Sequence, residues 1–277
     1  MTFLTDPIWW KRAFPFYALH LVTPALMFVV PFSWEWIALG VGFYYLRMFA
    51  LSAGFHRYFS HKTYKTSRAV QFLIGLVGCL NVQRGPIWWA AHHRRHHRHS
   101  GQPEDIHSPE QYGFYTAHVG WALSLKHNVA AVDNVRDLTR FPELHFLERI
   151  YTLPAILLGL VVWYALGPGA LVWGYLLSLI CNYHGTFTIN SLCHMWGSRR
   201  FETRDDSRNN LLLALLTMGE GWHNNHHYHQ SSARQGLYWW ELDPSYWLLR
   251  GLQAVGIIWD LKEPPRRVYE AAAQRGV

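Results

Sequence analysis

Charged side chains are scarce in this chain: Asp, Glu, Lys and Arg make up 16% of its 277 residues, well below the share usual in soluble domains. The shortage is uneven. No Asp, Glu, Lys or Arg occurs from Ala13 to Trp34, nor from Ile150 to Ser198. Cysteine is rarer still, and Cys79, Cys181 and Cys193 stand in apolar surroundings without CxxC spacing. That excludes a disulfide framework and a dithiol redox motif, and reads as small buried hydrophobes in a reducing compartment. No GxGxxG links a strand to a helix, and no iron–sulfur, rubredoxin, cytochrome b5 or nucleic-acid-binding motif appears. The first apolar run lacks the small-residue site of a cleavable signal peptide. No internal repeat, low-complexity tract or linker is visible.

Aromatic residues, by contrast, reach 16%, with 15 Trp, a bias typical of the water–lipid boundary. The mean hydropathy of −0.05 averages very apolar segments with segments dense in His and Arg. The run from Ala13 to Trp34 is long enough to cross a bilayer as a helix. Pro31 to Glu35 makes a tight turn, and Trp36 to Ala53 supplies a second span interrupted only by Arg47. The stretch 150–198 holds two more, broken at Gly167, Pro168 and Gly169. The expected spans are 13–31, 36–54, 150–166 and 170–193, forming two hairpins in a single domain over 1–277.

The turns 31–35 and 167–169 carry no Lys or Arg. Every Lys and Arg except Arg47 lies in the N-terminal tail, the central segment or the C-terminal segment. The positive-inside tendency puts those three segments and both termini on the cytoplasmic side. Residues 55–149 and 195–262 then form a cytosolic helical cap. Ala69–Gln83 and Leu211–Met218 are short for a crossing. Residues 245–261 read as an amphipathic helix on the membrane surface, and Glu263–Val277 as disordered. The net charge of +7 directs attention to a membrane surface or an acidic ligand.

The chemistry lies in the histidines, of which there are 18. His56 and His61 stand in HRYFSH, His93, His96 and His97 in HRRHH, His223, His226 and His227 in HNNHH. His194 follows Asn190 by four residues in NSLCH. Residues i, i+3 and i+4 share one face of a helix, so each HxxHH group can converge on one point. His56 and His61 are five apart, and the helix must end or loosen between them. These imidazoles exceed the needs of one four-coordinate zinc. Imidazole suits iron, copper, zinc and nickel alike, so ligand type does not name the metal. Count and clustering favour two metals, and redox metals beside a membrane imply oxygen chemistry on an apolar substrate. His20, His99, His118, His127, His145, His184 and His229 read as isolated surface or core residues.

In this order and spacing AGFHRYFSH, WWAAHHRRHH, HVGW, NSLCHMWG and GEGWHNNHH resemble the membrane acyl-CoA (stearoyl-CoA, delta-9 type) desaturases, particularly bacterial members. The match runs over about 34–261. The resemblance implies an all-α integral membrane protein of four transmembrane helices, with a dimetal site in the cytosolic cap. It makes His56, His61, His93, His97 and His226 ligands of one iron, and His96, His194, His223 and His227 ligands of the other. Asn190 reaches an iron through water. Asp105, His107 and Glu220 match positions that orient ligand imidazoles, and Gln83, Trp89, Thr186 and Phe187 match the lining of an acyl tunnel. Gly40 and Tyr44 would close that tunnel. A basic-acidic pair that holds the coenzyme A headgroup in animal members is replaced here by Ala91 and His92, and a later basic pair by Leu125 and Lys126.

The implied reaction removes two hydrogens from neighbouring methylenes of an acyl-CoA, with O2 as co-substrate, leaving a cis double bond. Methylene C–H bonds have no useful acidity, so proton-transfer side chains cannot break them. A separate ferredoxin, rubredoxin or b5-like donor supplies electrons at the basic cytoplasmic face, and a bacterial inner membrane is the expected location. An acyl-lipid or acyl-carrier-protein substrate, a membrane di-iron hydroxylase, a zinc or copper protein without redox activity, and a purely structural membrane protein are the rivals.

Overall fold

The computed structural model describes residues 9–274, with side chains described from Ala13 onward except at Leu125. Among them the chain is mostly helical. Helix α1 (Trp9–Met27) contains Pro15 and Pro24. Helix α2 (Trp34–Phe49) opens on Ser33, whose hydroxyl accepts the Glu35 N–H at 3.2 Å, and runs on as a π-helix over Ala50–Ser60. After α3 (Arg68–Gly78) and α4 (Pro86–His99) come α5 (Pro142–Ile150) and α6 (Leu153–Gly169). A π-helical stretch, Ala170–Leu176, leads into α7 (Leu177–Asn190). Shorter helices follow: α8 (Leu211–Leu216), α9 (His223–Tyr228), α10 (Pro244–Ala254) and α11 (Arg266–Ala273).

Two segments, Trp34–Ser60 and Leu153–His194, are long and apolar enough to cross a membrane. The second cannot be one rod. The Tyr175 hydroxyl donates to the Ala155 carbonyl at 2.6 Å, whereas twenty residues of straight helix span about 30 Å. The chain reverses at Gly167, whose φ of +86° lies where only glycine is comfortable. The two hairpin turns meet, for the backbone of Gly169 lies so close to the Pro31 carbonyl and Trp36 indole that no Cβ would fit.

The charge buried among these helices, Arg47, is fully enclosed. It donates to the Leu80 carbonyl at 3.1 Å and the Ser178 hydroxyl at 2.5 Å, and lies 4.3 Å over the Tyr175 ring. Paired this way, a guanidinium survives in an apolar setting.

The polar half is built on the other end of α2. Phe55 and Phe59 pack with Ile87, Ala90, Leu144 and Leu147 in one apolar core, tying α2 to α4 and α5. Arg94 of α4 clamps the α2 end through the Phe59 carbonyl at 2.6 Å and the Ser60 carbonyl at 2.9 Å. The start of α4 is held by Glu148, which accepts the N–H groups of Ile87 and Trp88 at 3.0 and 3.1 Å, a carboxylate placed where a helix favours negative charge.

Three expectations are corrected. Residues 263–277 contain α11, which buries Val268 and Ala272 against Phe201 and Leu237; its apolar positions four apart give it a face to bury. The surface helix expected over 245–261 stops at Ala254, and Ile258–Trp259 instead pairs antiparallel with Lys65–Thr66. Cys181 lies on an exposed face of α7, unlike buried Cys79 and Cys193.

Candidate metal centre

The pair His56 and His61 is brought together by the π-helix. The His61 N–H donates to the His56 carbonyl at 3.2 Å, an i→i+5 bond that widens the turn, and the two rings lie 4.8 Å apart. From α4 come His93, His96 and His97, from α9 His223, His226 and His227. His194 ends the turn Leu192–His194 that follows α7.

These side chains fall into two groups. In the first, His56, His61, His93, His97 and His226, and in the second, His96, His194, His223 and His227, the ligand atoms all lie within 4.8 Å of one another. Within the first group Nε2–Nε2 separations are 2.8 Å for His61–His93, 2.9 Å for His93–His97, and 3.0 Å for His226 to both His56 and His97. In the second, His194 and His223 meet at 3.1 Å. The groups adjoin, with the His97 and His227 rings 4.4 Å apart.

The tautomers follow from the carboxylates behind the rings. Nδ1 of His56 faces Glu220 at 2.5 Å, that of His96 faces Asp105 at 3.0 Å, and that of His227 faces Asp205 at 2.5 Å. Each carboxylate accepts a hydrogen bond from Nδ1–H, which leaves the lone pair on Nε2, aimed inward. Nε2 of His227 is buried without any partner, an acceptor with nothing to accept. Lone pairs converging this closely repel unless a cation lies between them. The donor sets therefore fit two neighbouring metal ions.

Burial raises the Glu220 carboxyl, but His56 and Arg57 outweigh it and hold it down to about 2. Asp205 and Asp105 are likewise held well below the ordinary carboxylate range, against burial, by His227 and by His96. On the imidazole side, burial first and neighbouring rings second push His61, His93, His97, His223 and His226 well below the ordinary 6.5. Below about pH 6.5 the unfolded chain takes up protons that these folded rings refuse. The metal-free protein is therefore expected to lose stability as pH falls from there, which melting temperatures measured across that range would show. A melting point independent of pH would contradict it.

Glu220 is itself fixed by the Ser52 hydroxyl, by Arg57 at 3.1 Å and by Gln235 at 3.1 Å. Its neighbour Gly219 has φ +111° and presses on Asp243, the second carboxylate on Arg57, at 3.0 Å. Asp205, Gln235 and Asp243 escaped the sequence reading because none stands within a helical turn of a histidine, and Arg57, four residues before His61, because its carboxylate partners lie more than 160 residues away. Asp205→Asn is expected to lower metal affinity about 10- to 100-fold, checked by metal titration; unchanged affinity would deny Asp205 its orienting role.

The remaining expected residues surround these groups. His107 stacks 4.3 Å from His96, with its Nδ1 3.6 Å from Asp105, and burial pushes it down to about 3. Asn190 lines a small cavity together with Gln83, Trp89, Thr186, His96 and His223. Gln83 donates to the Thr186 hydroxyl at 3.0 Å, and the Trp89 ring stacks on His93 at 4.9 Å. Gln83 and Trp89 also line a much larger apolar cavity of about 750 Å³ between the apolar helices, where Phe187 appears. Its far walls come from α1, α6 and α7, including Ala155, Gly159 and Leu179. Gly40 instead packs on Gly174, and the Tyr44 hydroxyl donates to the Leu216 carbonyl at 2.8 Å; neither is part of that lining.

Residues 31–256 match the family model described as fatty acid desaturase. The chain is 37% identical to a probable chloroplastic lipid desaturase of Arabidopsis thaliana over 247 residues, 87% of this chain and 68% of that protein. It is 37% identical to an icosanoyl-CoA 5-desaturase of Limnanthes douglasii over 252 residues, 88% and 70%. It is 35% identical to an sn-1 stearoyl-lipid 9-desaturase of Anabaena variabilis over 257 residues, 91% and 93%. The chain belongs to the fatty acid desaturase family, oxidoreductases of lipid metabolism.

Proposed function

We propose that this protein is a membrane-bound di-iron desaturase that introduces a cis double bond at the delta-9 position of a saturated acyl chain, using O2. The observation that carries the reading is the pair of adjoining histidine groups, backed by oriented carboxylates and opening onto an apolar cavity. His56, His61, His93, His97 and His226 would hold one iron, His96, His194, His223 and His227 the other, with Asn190 joined through water. When bound, such a pair supplies the one-electron chemistry with O2 that methylene C–H bonds require. The protein does the rest. Trp89, Gln83 and Thr186 line the approach and Phe187 the apolar cavity beyond it, whose walls exclude water and fix which carbons face the site. Glu220, Asp105 and Asp205 hold the imidazoles aligned, each fixing one ring through its Nδ1.

The whole chain forms one domain in this reading. Four helices cross the membrane, with the histidine-bearing cap and both termini on the cytoplasmic side of a bacterial inner membrane. Shared placement of the two hairpin turns, away from the histidines, supports that topology. Coenzyme A is the carrier expected from the resemblance. A second reading, a glycerolipid carrier, is favoured by the burial of Ala91 and His92, which leaves neither side chain free to meet a headgroup. Exposed Ile156, Leu160 and Trp163 also line the large cavity, opening it toward the lipid-facing surface.

Expression in a host lacking desaturases, with double bonds located by mass spectrometry, tests the function; a hydroxylated product or no new product would refute it. Supplying stearoyl-CoA or stearoyl-phosphatidylcholine to purified protein in vesicles separates the carriers.

Electrons come from a separate carrier protein. A polar opening beside His61 and His97 is bordered by Arg94 and exposed Arg98. Arg98→Glu is expected to raise the KM for an acidic donor about tenfold, within the range of a desolvated charge contact, while leaving the acyl KM unchanged. Steady-state assays with donor and acyl substrate varied separately check this.

A further inference from the structure

Three histidines read from sequence as isolated are joined in a chain. Nδ1 of His20 lies 2.7 Å from the Phe16 carbonyl, and its Nε2 lies 3.1 Å from Nε2 of His184. Nδ1 of His184 lies 3.0 Å from Nε2 of His118, whose Nδ1 lies 2.9 Å from the Ser191 hydroxyl. The Ser191 hydroxyl donates to the Phe187 carbonyl at 2.9 Å. Each imidazole uses both nitrogens, so the arrangement is a line and not a converging metal site.

The line has five contacts and ends at both sides on a carbonyl, which can only accept. Three neutral imidazoles and one hydroxyl bring four protons between them. One contact would then face two lone pairs at hydrogen-bond distance, at the cost of an unmade bond. A single additional proton fills all five: His20 donates to Phe16 and His184, His184 to His118, His118 to Ser191, and Ser191 to Phe187. A second would have no contact left to occupy.

We infer that His20, His184 and His118 together bind one excess proton and hand it along the line toward Ser191. Burial and the neighbouring His184 push His118 down to about 4, so the proton does not rest on His118. Among the described residues the titratable groups near the line are Tyr17 and Tyr115, whose hydroxyls pair at 2.9 Å, and Tyr183, whose ring lies 6.5 Å from that of His20. None of them is a carboxylate. The line ends at the turn joining Asn190 to His194, where the Ser191 carbonyl accepts the His194 N–H at 3.1 Å.

Such a store has a use in the proposed reaction, and its purpose, though not its existence, rests on that reading. Converting –CH2–CH2– and O2 to –CH=CH– and two waters takes up two electrons from the carrier protein and two protons. The four hydrogens of the waters are two from the acyl chain and two delivered as protons. The line would supply one proton per filling.

The test uses the full-length protein in lipid nanodiscs, labelled with ¹⁵N-histidine and loaded with zinc as a diamagnetic stand-in. One imidazolium is expected at about pH 7, and His20→Gln, His184→Gln and His118→Gln should each abolish that same signal. Neutral rings at all three positions in the unsubstituted protein would overturn the assignment, with no variant needed. For delivery, iron-loaded His184→Gln should turn over about tenfold more slowly, most severely at alkaline pH, with acyl KM and iron content unchanged. A turnover equal to wild type at every pH would overturn the delivery role. The zinc-loaded spectrum stands whether or not the protein proves to be a desaturase.

Discussion

His226→Ala is expected to abolish double-bond formation and to leave the protein with one metal ion in place of two. His226 closes the first histidine group, since its Nε2 lies 3.0 Å from those of both His56 and His97. No other side chain can take its place: α9 also supplies His223 and His227, but they face the second group. Residues that merely orient metal ligands cost about 10- to 100-fold when lost, so loss of a ligand should exceed about 100-fold in rate. Product analysis with metal counting checks it. A variant retaining two metals and near-normal activity would remove His226 from the site.

Glu220→Ala should damage the protein in two ways at once. The carboxylate fixes the His56 tautomer and also neutralises Arg57, which is 1% exposed. Without it Arg57 keeps only Asp243 and the Ala233 carbonyl. Removing one partner of a buried ion pair costs about 3–5 kcal/mol, because the remaining charge stays desolvated. Denaturant unfolding should show that loss, and metal titration a weakened first site. Glu220→Gln, which keeps the Ser52 and Gln235 contacts possible, should recover part of the stability. Equal stability of Glu220→Ala and wild type would mean that the network does not hold the fold.

How much of this was legible beforehand follows from the range of each interaction. Helical segments and their breaks depend on runs of ten to twenty residues, so α2, α6 and the reversal at Gly167 stood out in the hydropathy. The HxxHH groups were readable because i, i+3, i+4 geometry is local. Even the π-helix left a trace, as the five-residue spacing of His56 and His61. The division of the histidines came from the resemblance, not from spacing; the structure places the same side chains in two adjoining groups.

Contacts between distant segments left no such trace. Asp205 reaches His227 across a loop, and Arg57 gathers Glu220 and Asp243 from more than 160 residues away. The line of His20, His184 and His118 joins three elements, and each histidine alone resembles an ordinary core residue. Helix α11 was missed because its sequence is charged and short, and the partners of its buried Val268 and Ala272 are the distant Phe201 and Leu237.

A Mössbauer spectrum of freshly purified, active protein grown on ⁵⁷Fe decides whether two irons sit among these imidazoles. Two coupled irons per chain, lost together with activity on chelation, is the predicted result. Active protein without iron, or with a single isolated iron, would contradict it.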